Sequence, residues 1–400
     1  MKLRYQYRVY PTQKQQTQLA QLFGCCRVVW NDALALVKQS QKFPKNSDLQ
    51  KLCITQAKGT EQRSWLQEVS NIPLQQSVAD LGVAIKNYFD SRTGKRKGSS
   101  IGFPRFKNKD NRQSARFRKG GFSIKKGKVY LAKIGHLKTK WSRPLPSEPS
   151  SVTIIKDRRN RYFLSFVVEA EVPSSSAPND SVGVDLGIKT FAVLSTGEKI
   201  DSPSYQKLNR KIKRFQRRLS KCVKGSKRRE LARLKVAKLK AKLRDTRKDF
   251  LHQLSSKLIN ENQVIVLEDL NVKGMVKNRC LSRAISKAGW SEFRTMCEAK
   301  SQMYSREVRV ISRWQPTSQY CSDCGYKWGK LDLSVREIVC LSCGTLQDRD
   351  GNAATNIKQV GVGHTHDIKW TGSGCKTDVS AVCDELSTHL VDEQLNLFAS

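Results

Sequence analysis

No stretch of this 400-residue chain comes near the ~20 consecutive apolar residues that cross a bilayer, so no membrane segment is expected. The opening residues, MKLRYQYRVYPTQ, lack the uninterrupted apolar centre of a secretory signal, and a cytosolic protein is expected. Acidic residues are scarce: 35 Asp and Glu stand against 74 Lys and Arg, leaving a formal charge of +39. A surplus of that size must be solvated or neutralised, and its usual counterpart is a polyanion. The twelve cysteines lack the spacing of a disulfide framework. Cys25 and Cys26 are adjacent, and Cys53, Cys222, Cys280 and Cys297 are scattered, as buried or free thiols of a reducing compartment would be. Only Cys321, Cys324, Cys340 and Cys343 are grouped. Hydrophobic residues, at 38%, still suffice for the cores of two or three domains.

The first ten residues alternate polar and apolar side chains up to Pro11, as a short strand does. Thr12 and Gln15 have the spacing of a capping box, and Leu19, Leu22, Phe23, Cys26 and Trp30 share one face of the helix that follows. Helical patterning continues to residue 89, and packed helices alone explain it, so any binding role there falls to the polar surface. Between residues 90 and 178 the chain turns to Gly, Lys, Arg and aromatics, with strand-like runs such as KVYLAKIG. SSVTIIKDRRNRYFLSFVVEAEV reads as a hairpin turning at Arg158–Arg161. Phe103, Arg105, Phe106, Lys107, Arg116, Phe117 and Arg118 interleave aromatics with cations, which suits base stacking plus phosphate pairing. A β-barrel-like nucleic-acid module is expected here, followed by a linker, EVPSSSAPNDS.

From Tyr205 to Leu258 the sequence is helical and strongly basic, with an apolar seam at Leu208, Ile212, Phe215 and Leu219, then Leu231, Leu234, Leu239 and Leu243. Gly225 separates the halves, so two antiparallel helices are the economical reading. Residues 203–250 hold 20 Lys and Arg against 3 Asp and Glu. A charge run is usually a solvated face, but repulsion within one hairpin on this scale favours a bound nucleic-acid backbone, with Lys211, Arg214 and Arg218 among its contacts. Beyond Ile357 periodicity is weak and poor order is expected; for His364, His366, Cys375 and Cys383 a chance grouping is the favoured reading and metal binding the lesser one.

Three acids carry candidate chemistry. In SVGVDLGIKTFAVL, Asp185 interrupts an apolar β-branched run, and a charge there needs compensation, by local hydrogen bonds or by a bound cation. In NQVIVLEDLN, four apolar residues end at Glu268 and Asp269, as when a buried strand delivers a carboxylate at its tip. DRDGNAATNI then places Asp350 at the start of a short helix, with Asn352 and Asn356 one turn apart. Two strand acids and one helix acid are the parts of an RNase H-like nuclease, whose carboxylates hold two divalent cations. Mg²⁺ suits such hard oxygen ligands. The grouped cysteines have the pattern C-x2-C-x15-C-x2-C, two knuckles that complete a tetrahedron around structural Zn²⁺, with an iron–sulfur cluster as the lesser alternative.

IGFPRFK, GVDLGIKTFAV, VIVLEDLNVKGM, SKAGWSEF, PTSQYCSDCG and VCLSCGTLQDRDGNAATNI, taken in order across residues 1–360, resemble the TnpB family. These are transposon-encoded RNA-guided DNA endonucleases related to type V CRISPR effectors. The resemblance implies an α+β multidomain chain: a wedge-type β-barrel (1–10 plus 90–178) with a helical recognition insertion (11–89), then an RNase H-like RuvC nuclease domain (179–316 plus 344–360). The nuclease domain would carry the basic helical hairpin (205–258) and a zinc-ribbon insertion (317–343), with a tail at 361–400. It implies Asp185, Glu268 and Asp350 as catalytic, Mg²⁺-holding acids, with Asp350 favoured over Asp348. It also implies a guide RNA from the transposon end and a double-stranded target DNA read at a short flanking motif. Gln75, Arg118 and Lys119 stand at the positions matching that readout.

Three other functions fit parts of the sequence. A guided DNA-binding repressor would share the fold without cutting, and a transposase would use the same acids for strand transfer. An actin-like ATPase would use DLGIK as a phosphate loop, but the second phosphate-binding glycine loop is missing and the charge is left unexplained.

Overall fold

The computed structural model describes residues 1–40, 42–96, 99–109, 112–125, 127–171, 176–332 and 335–363. The chain divides into two units, one ending at Glu171 and the other beginning at Val172. Among the described residues no helix is long and apolar enough to cross a membrane.

In the first unit, β1 (Lys2–Tyr10) leads into α1 (Gln13–Gln39) through the expected capping box, in which Thr12 and Gln15 bond each other's backbone amides at 3.4 and 3.0 Å. Leu19, Leu22, Phe23, Cys26 and Trp30 are all buried, which is the face their spacing predicted. A short helix α2 (Asn46–Gln50) and α3 (Asn71–Arg92) complete the helical layer. Six more strands follow: β2 (Gln113–Arg118), β3 (Phe122–Lys125), β4 (Lys128–Leu131), β5 (Gly135–Lys140), β6 (Ser151–Lys156) and β7 (Tyr162–Glu169). With β1 they form one antiparallel sheet in the order β2-β6-β7-β1-β5-β4-β3. The β6–β7 hairpin turns where expected, pairing Lys156 with Tyr162 across Asp157–Arg161.

The barrel expected here does not close: among the described residues β2 and β3 are opposite, unpaired edges of an open sheet. The reason is local. Gly120 takes a φ of +86° after β2, and the chain then doubles back so that β3 pairs with β4, Gly121 accepting from Ala132 N–H. The interleaved aromatics also differ from expectation. Phe117 and Ala115 are core residues, because alternation along a strand points every second side chain inward.

The second unit is built on a five-stranded sheet in the order β10-β9-β8-β11-β12, formed by β8 (Asn179–Leu186), β9 (Ala192–Leu194), β10 (Lys199–Ile200), β11 (Asn262–Glu268) and β12 (Glu307–Ile311). The strands β8, β11 and β12 run parallel, while β9 pairs antiparallel with β8 and β10 antiparallel with β9. The helices α4 (Gln206–Ser220) and α5 (Lys227–Glu261) lie between β10 and β11 and pack together, turning at Gly225 with φ +86°. Arg229 bonds the carbonyls of Leu219 and Cys222, and Lys235 lies over the Phe215 ring, so the pair is antiparallel. Its buried seam is Ile212 with Ala232 and Val236; Leu231, expected in the seam, is 68% exposed. Ala232 and Val236, one turn apart, set the buried face, and Leu231 falls about 100° round the helix from Ala232.

Three more helices, α6 (Val272–Met275), α7 (Ser282–Ala288) and α8 (Trp290–Met303), precede β12. After it come a ribbon hairpin of β13 (Glu337–Val339) and β14 (Leu346–Asp348) and the last helix, α9 (Arg349–Val362). The sheet has two different faces. Val182, Val184, Ile265 and Leu267 pack with Leu251, Leu254 and Leu258 of α5 and Trp290 and Phe293 of α8. The alternate residues face α9, where Val266 packs with Ile357. A Cβ at Gly183 would lie 2.1 Å from the Ala354 carbonyl oxygen, and one at Gly361 would lie 2.2 Å from Val266. Two glycines thus let a helix backbone rest directly on the strands. The tail expected from residue 361 onward lies beyond the described residues, with its histidines and cysteines, except that α9 itself runs to Val362.

Because the obstructing atom at position 183 is backbone, Gly183→Ala is expected to push α9 off the sheet. Thermal unfolding should show a loss of about 1–3 kcal/mol or more, whereas Gly59→Ala, where a Cβ meets nothing within 4 Å, should not.

Candidate functional site

Strand register brings the first two acids together. Val184 of β8 lies beside Leu267 of parallel β11, so the next residues, Asp185 and Glu268, emerge side by side at the strand ends. Period-two alternation puts both on the face that carries Gly183 and Val266, the face covered by α9. Asp350 sits in the first turn of that helix. The three carboxylates line one cavity of about 510 Å³, together with Arg313, Trp314, Thr317, Arg336 and Arg349.

Burial pushes the Asp185 carboxyl up to about 7, and the neighbouring charges of Glu268 and Asp350 push the same way. Burial also raises Glu268, although its Oε1 accepts a 2.8 Å hydrogen bond from the Thr317 hydroxyl. Asp350 is paired with Arg336 at 3.1 Å, across from the ribbon. Three like charges lining one partly buried cavity favour a bound cation. Carboxylate oxygens from three separate elements are a donor set that fits a hard divalent ion.

The neighbouring acids have other duties. Asp269 is gripped by Arg313 and by Arg294 at 2.9 Å, and the Arg313 guanidinium, foremost, holds its carboxyl below the ordinary value. Asp348 is the N-cap of α9, accepting from Gly351 N–H at 2.9 Å, and it pairs with Lys199 at 2.8 Å. Burial works to raise Asp348, but Lys199 and the Gly351 amide outweigh it, and the carboxyl lies below its ordinary value.

The four grouped cysteines converge, with all their sulfurs within 4.8 Å of one another. Cys321 and Cys343 are 3.7 Å apart at sulfur, and Cys324 and Cys340 are 3.5 Å apart. A Zn–S bond of about 2.3 Å implies tetrahedral S···S separations of roughly 3.8 Å, so the geometry fits zinc. Each knuckle closes alike: Gly325 and Gly344, with φ of +75° and +73°, return their amides to the Cys321 and Cys340 carbonyls.

The knuckles are tied to α9. Asn352 donates to the Tyr320 carbonyl and accepts from Ser322 N–H, straddling Cys321 at 2.8 and 2.7 Å. Asn356 donates to the carbonyls of Thr317 and Tyr320, and Gln359 to that of Ser322. These amides are the residues that sequence reasoning missed as functional; their spacing of four on a helix that follows a knuckle was the available signal. Gly183 was also missed, and a glycine inside an apolar strand was its signal.

Three family models match the chain: "Probable transposase" over residues 165–279, "Cas12f1-like, TNB domain" over 290–357 and "Helix-turn-helix domain" over 1–42. The described residues of 1–42 form one strand and one long helix. A Streptomyces pristinaespiralis protein provisionally named an RNA-guided DNA endonuclease is 41% identical over 370 residues, covering 90% of each chain. The chain belongs to the TnpB family. An Escherichia coli relative of the same provisional name is 28% identical, covering 89% of this TnpB chain and 92% of its own. A TnpB-like protein of Acanthamoeba polyphaga mimivirus is 24% identical over 89% of this chain and 72% of its own. Among solved structures, a Cas12f1–sgRNA–target DNA complex aligns with 86% of this chain and 81% of its own, at 14% identity and a TM-score of 0.49.

The candidate nucleic-acid contacts of this TnpB protein differ in their freedom. Gln75 is exposed on α3, and Arg118 and Lys119 are exposed at the end of β2. Lys119 makes only a loose 3.5 Å pair with Glu148, and a pair so exposed holds little. Lys211, Arg214 and Arg218 are exposed along one face of α4, and Arg218 joins Arg217, Lys221 and Arg228 around a cavity of about 390 Å³ at the hairpin tip. Arg105 is exposed, with its carbonyl held by the Trp30 indole. Lys107 is already engaged: its ammonium lies 3.6 Å from the centre of the Trp30 ring, and Asn31 bonds its backbone on both sides.

Two tests follow from this geometry. In chelator, an Asp185 carboxyl raised to about 7 binds its proton more tightly folded than unfolded, so it costs stability as pH rises from about 4 to 7. The gain in melting temperature of Asp185→Asn over the parent should grow through that window and level off above it. Cys340→Ser should lose one zinc per chain and speed amide exchange at Asn352–Asn356, leaving the seven-stranded sheet as protected as before.

Proposed function

We propose that this TnpB protein is an RNA-guided, Mg²⁺-dependent DNA endonuclease of transposon origin. The observation that carries this reading is the convergence of Asp185, Glu268 and Asp350, from two strands and a helix, on one cavity rimmed by arginines. Kinship with proteins provisionally named for that activity supports it.

Asp185, Glu268 and Asp350 would hold the cations, while Asp269 and Asp348 stay in their ion pairs. Divalent ions held there would supply an activated water and charge compensation for the leaving oxygen. Thr317 fixes the orientation of Glu268 through its 2.8 Å hydrogen bond. Arg336 exchanges its contact with Asp350 for the phosphate being cut, so the cavity draws in an anion despite its three acids. In the reaction water adds to phosphorus, one P–O bond breaks, and the leaving oxygen takes up a proton.

The remaining regions take the roles that membership suggests. Residues 179–316 with 344–360 are the RuvC-like nuclease, and 317–343 are a zinc ribbon that secures the third acid. Residues 1–10 with 90–178 are the wedge and 11–89 the recognition region, with Gln75, Arg118 and Lys119 facing the flanking motif. The exposed cations of α4 follow the phosphates of guide RNA or heteroduplex, an attraction that weakens as salt is raised.

The test is to purify the protein co-expressed with RNA from its own transposon end, sequence the bound RNA, and offer a matching plasmid. A discrete RNA and Mg²⁺-dependent cutting are expected. Asp350→Ala should reduce cutting by about 10³-fold or more, the scale on which removing one group of a catalytic unit acts, and leave target binding and zinc content intact. Binding without cutting by the unmodified protein would favour a guided repressor, and joined donor–target products would favour strand transfer.

A further inference from the structure

Trp314 lies at the mouth of the acidic cavity and is 85% exposed, whereas the other described tryptophans are buried or half-buried. Single exposed apolar side chains are ordinary, as at Leu341, also 85% exposed; what sets Trp314 apart is that its open aromatic side chain lines the cavity that holds the three acids. Its backbone is not loose. Arg313 on one side binds Asp269, and Thr317 on the other binds Glu268, so the segment carrying the ring hangs from both acids at the end of β11. Between these anchors Trp314 N–H reaches the Ser312 hydroxyl at 3.4 Å, Gln315 N–H the Ser312 carbonyl at 3.1 Å, and Thr317 N–H the Gln315 carbonyl at 2.9 Å. The backbone that carries the ring is therefore tied to the strand end that bears the acids.

We propose that Trp314 is a positioning residue, a platform on which one unpaired base of the DNA strand stacks so that its adjoining phosphate enters the cavity. This rests on the nuclease reading above. Charge and shape select the occupant. Arg336 and Arg349 line the same cavity and suit a phosphate, while an indole face suits a base. Bases in a duplex have both faces covered by their neighbours, so only an unstacked one can occupy the ring. The strand is thus presented to the acids single-stranded, and the platform accepts any base because every base has a π-face.

The guide-loaded protein is assayed for single-turnover cutting of a matching duplex, with Trp314→Phe and Trp314→Leu as variants. Phe is expected to stay within about 3-fold of the parent and Leu to fall about 5- to 150-fold, the range that one stacked base supplies. Abasic sites are then placed singly along the cut strand. One position should reproduce the loss in the parent and add nothing in Trp314→Leu, the non-additivity of a direct contact. Cutting by Trp314→Leu at the parental rate, or additive losses at every abasic position, would overturn the platform while leaving the nuclease reading in place. So would loss of zinc or of target binding in both variants, the outcome of a folding role or of a protein-docking role. Failure of the guide-loaded parent to cut would overturn the nuclease reading itself.

Discussion

Three carboxylates in one small cavity repel one another, and most of the second unit can be understood as the means of keeping them there. Burial raises Asp185 and Glu268 instead of relieving them, so the site is unfavourable without a cation. What opposes dispersal is packing on the other sides. The β8–β11 ladder fixes Asp185 beside Glu268, and the α5 and α8 side chains hold that ladder from behind. Gly183 and Gly361 bring α9, with Asp350, onto the front of the sheet at backbone distance. The acids thus sit on rigid elements, which keeps their relative geometry fixed.

The ribbon belongs to the same scheme. Its cysteines offer no open metal position, yet Asn352 and Asn356 bond the peptide groups flanking Cys321. Pulling the knuckle out of shape would therefore move the helix that carries Asp350. The ribbon also delivers Arg336 to that acid, and the segment entering it delivers Thr317 to Glu268. The insertion reaches two of the three acids from outside the sheet.

Much of this was legible in the sequence, for identifiable reasons. Asp185 stood out because a charge within an apolar run is costly, Glu268 because it ends an apolar strand, and the cysteines because their spacing is a local geometric signature. Asp350 was separated from Asp348 only by resemblance to a family. The structure supplies a physical distinction, since Asp348 is engaged as a helix cap and by Lys199. Other features depended on long-range pairing that local pattern does not encode. Alternation announces strands but not whether the last one meets the first, so an open sheet read as a barrel. Phe117 looked like a stacking residue because alternation with arginines is equally the mark of a half-buried strand. Lys107 looked free because Trp30, which holds it, is remote in sequence.

The even spacing of the acids has a consequence for biogenesis. Asp185, Glu268 and Asp350 are separated by about 80 residues each, and β8, β11 and α9 touch only across those distances, so the contact order of the core is high. During synthesis at about 5–20 residues per second, β8 waits on the order of ten seconds or more for α9 to leave the ribosome. Through that interval the α9 side of the strands is uncovered, and Asp350 has not joined Asp185 and Glu268. On the function proposed above, the exposed basic hairpin is complete and open to nucleic acid before the chain is able to hydrolyse anything.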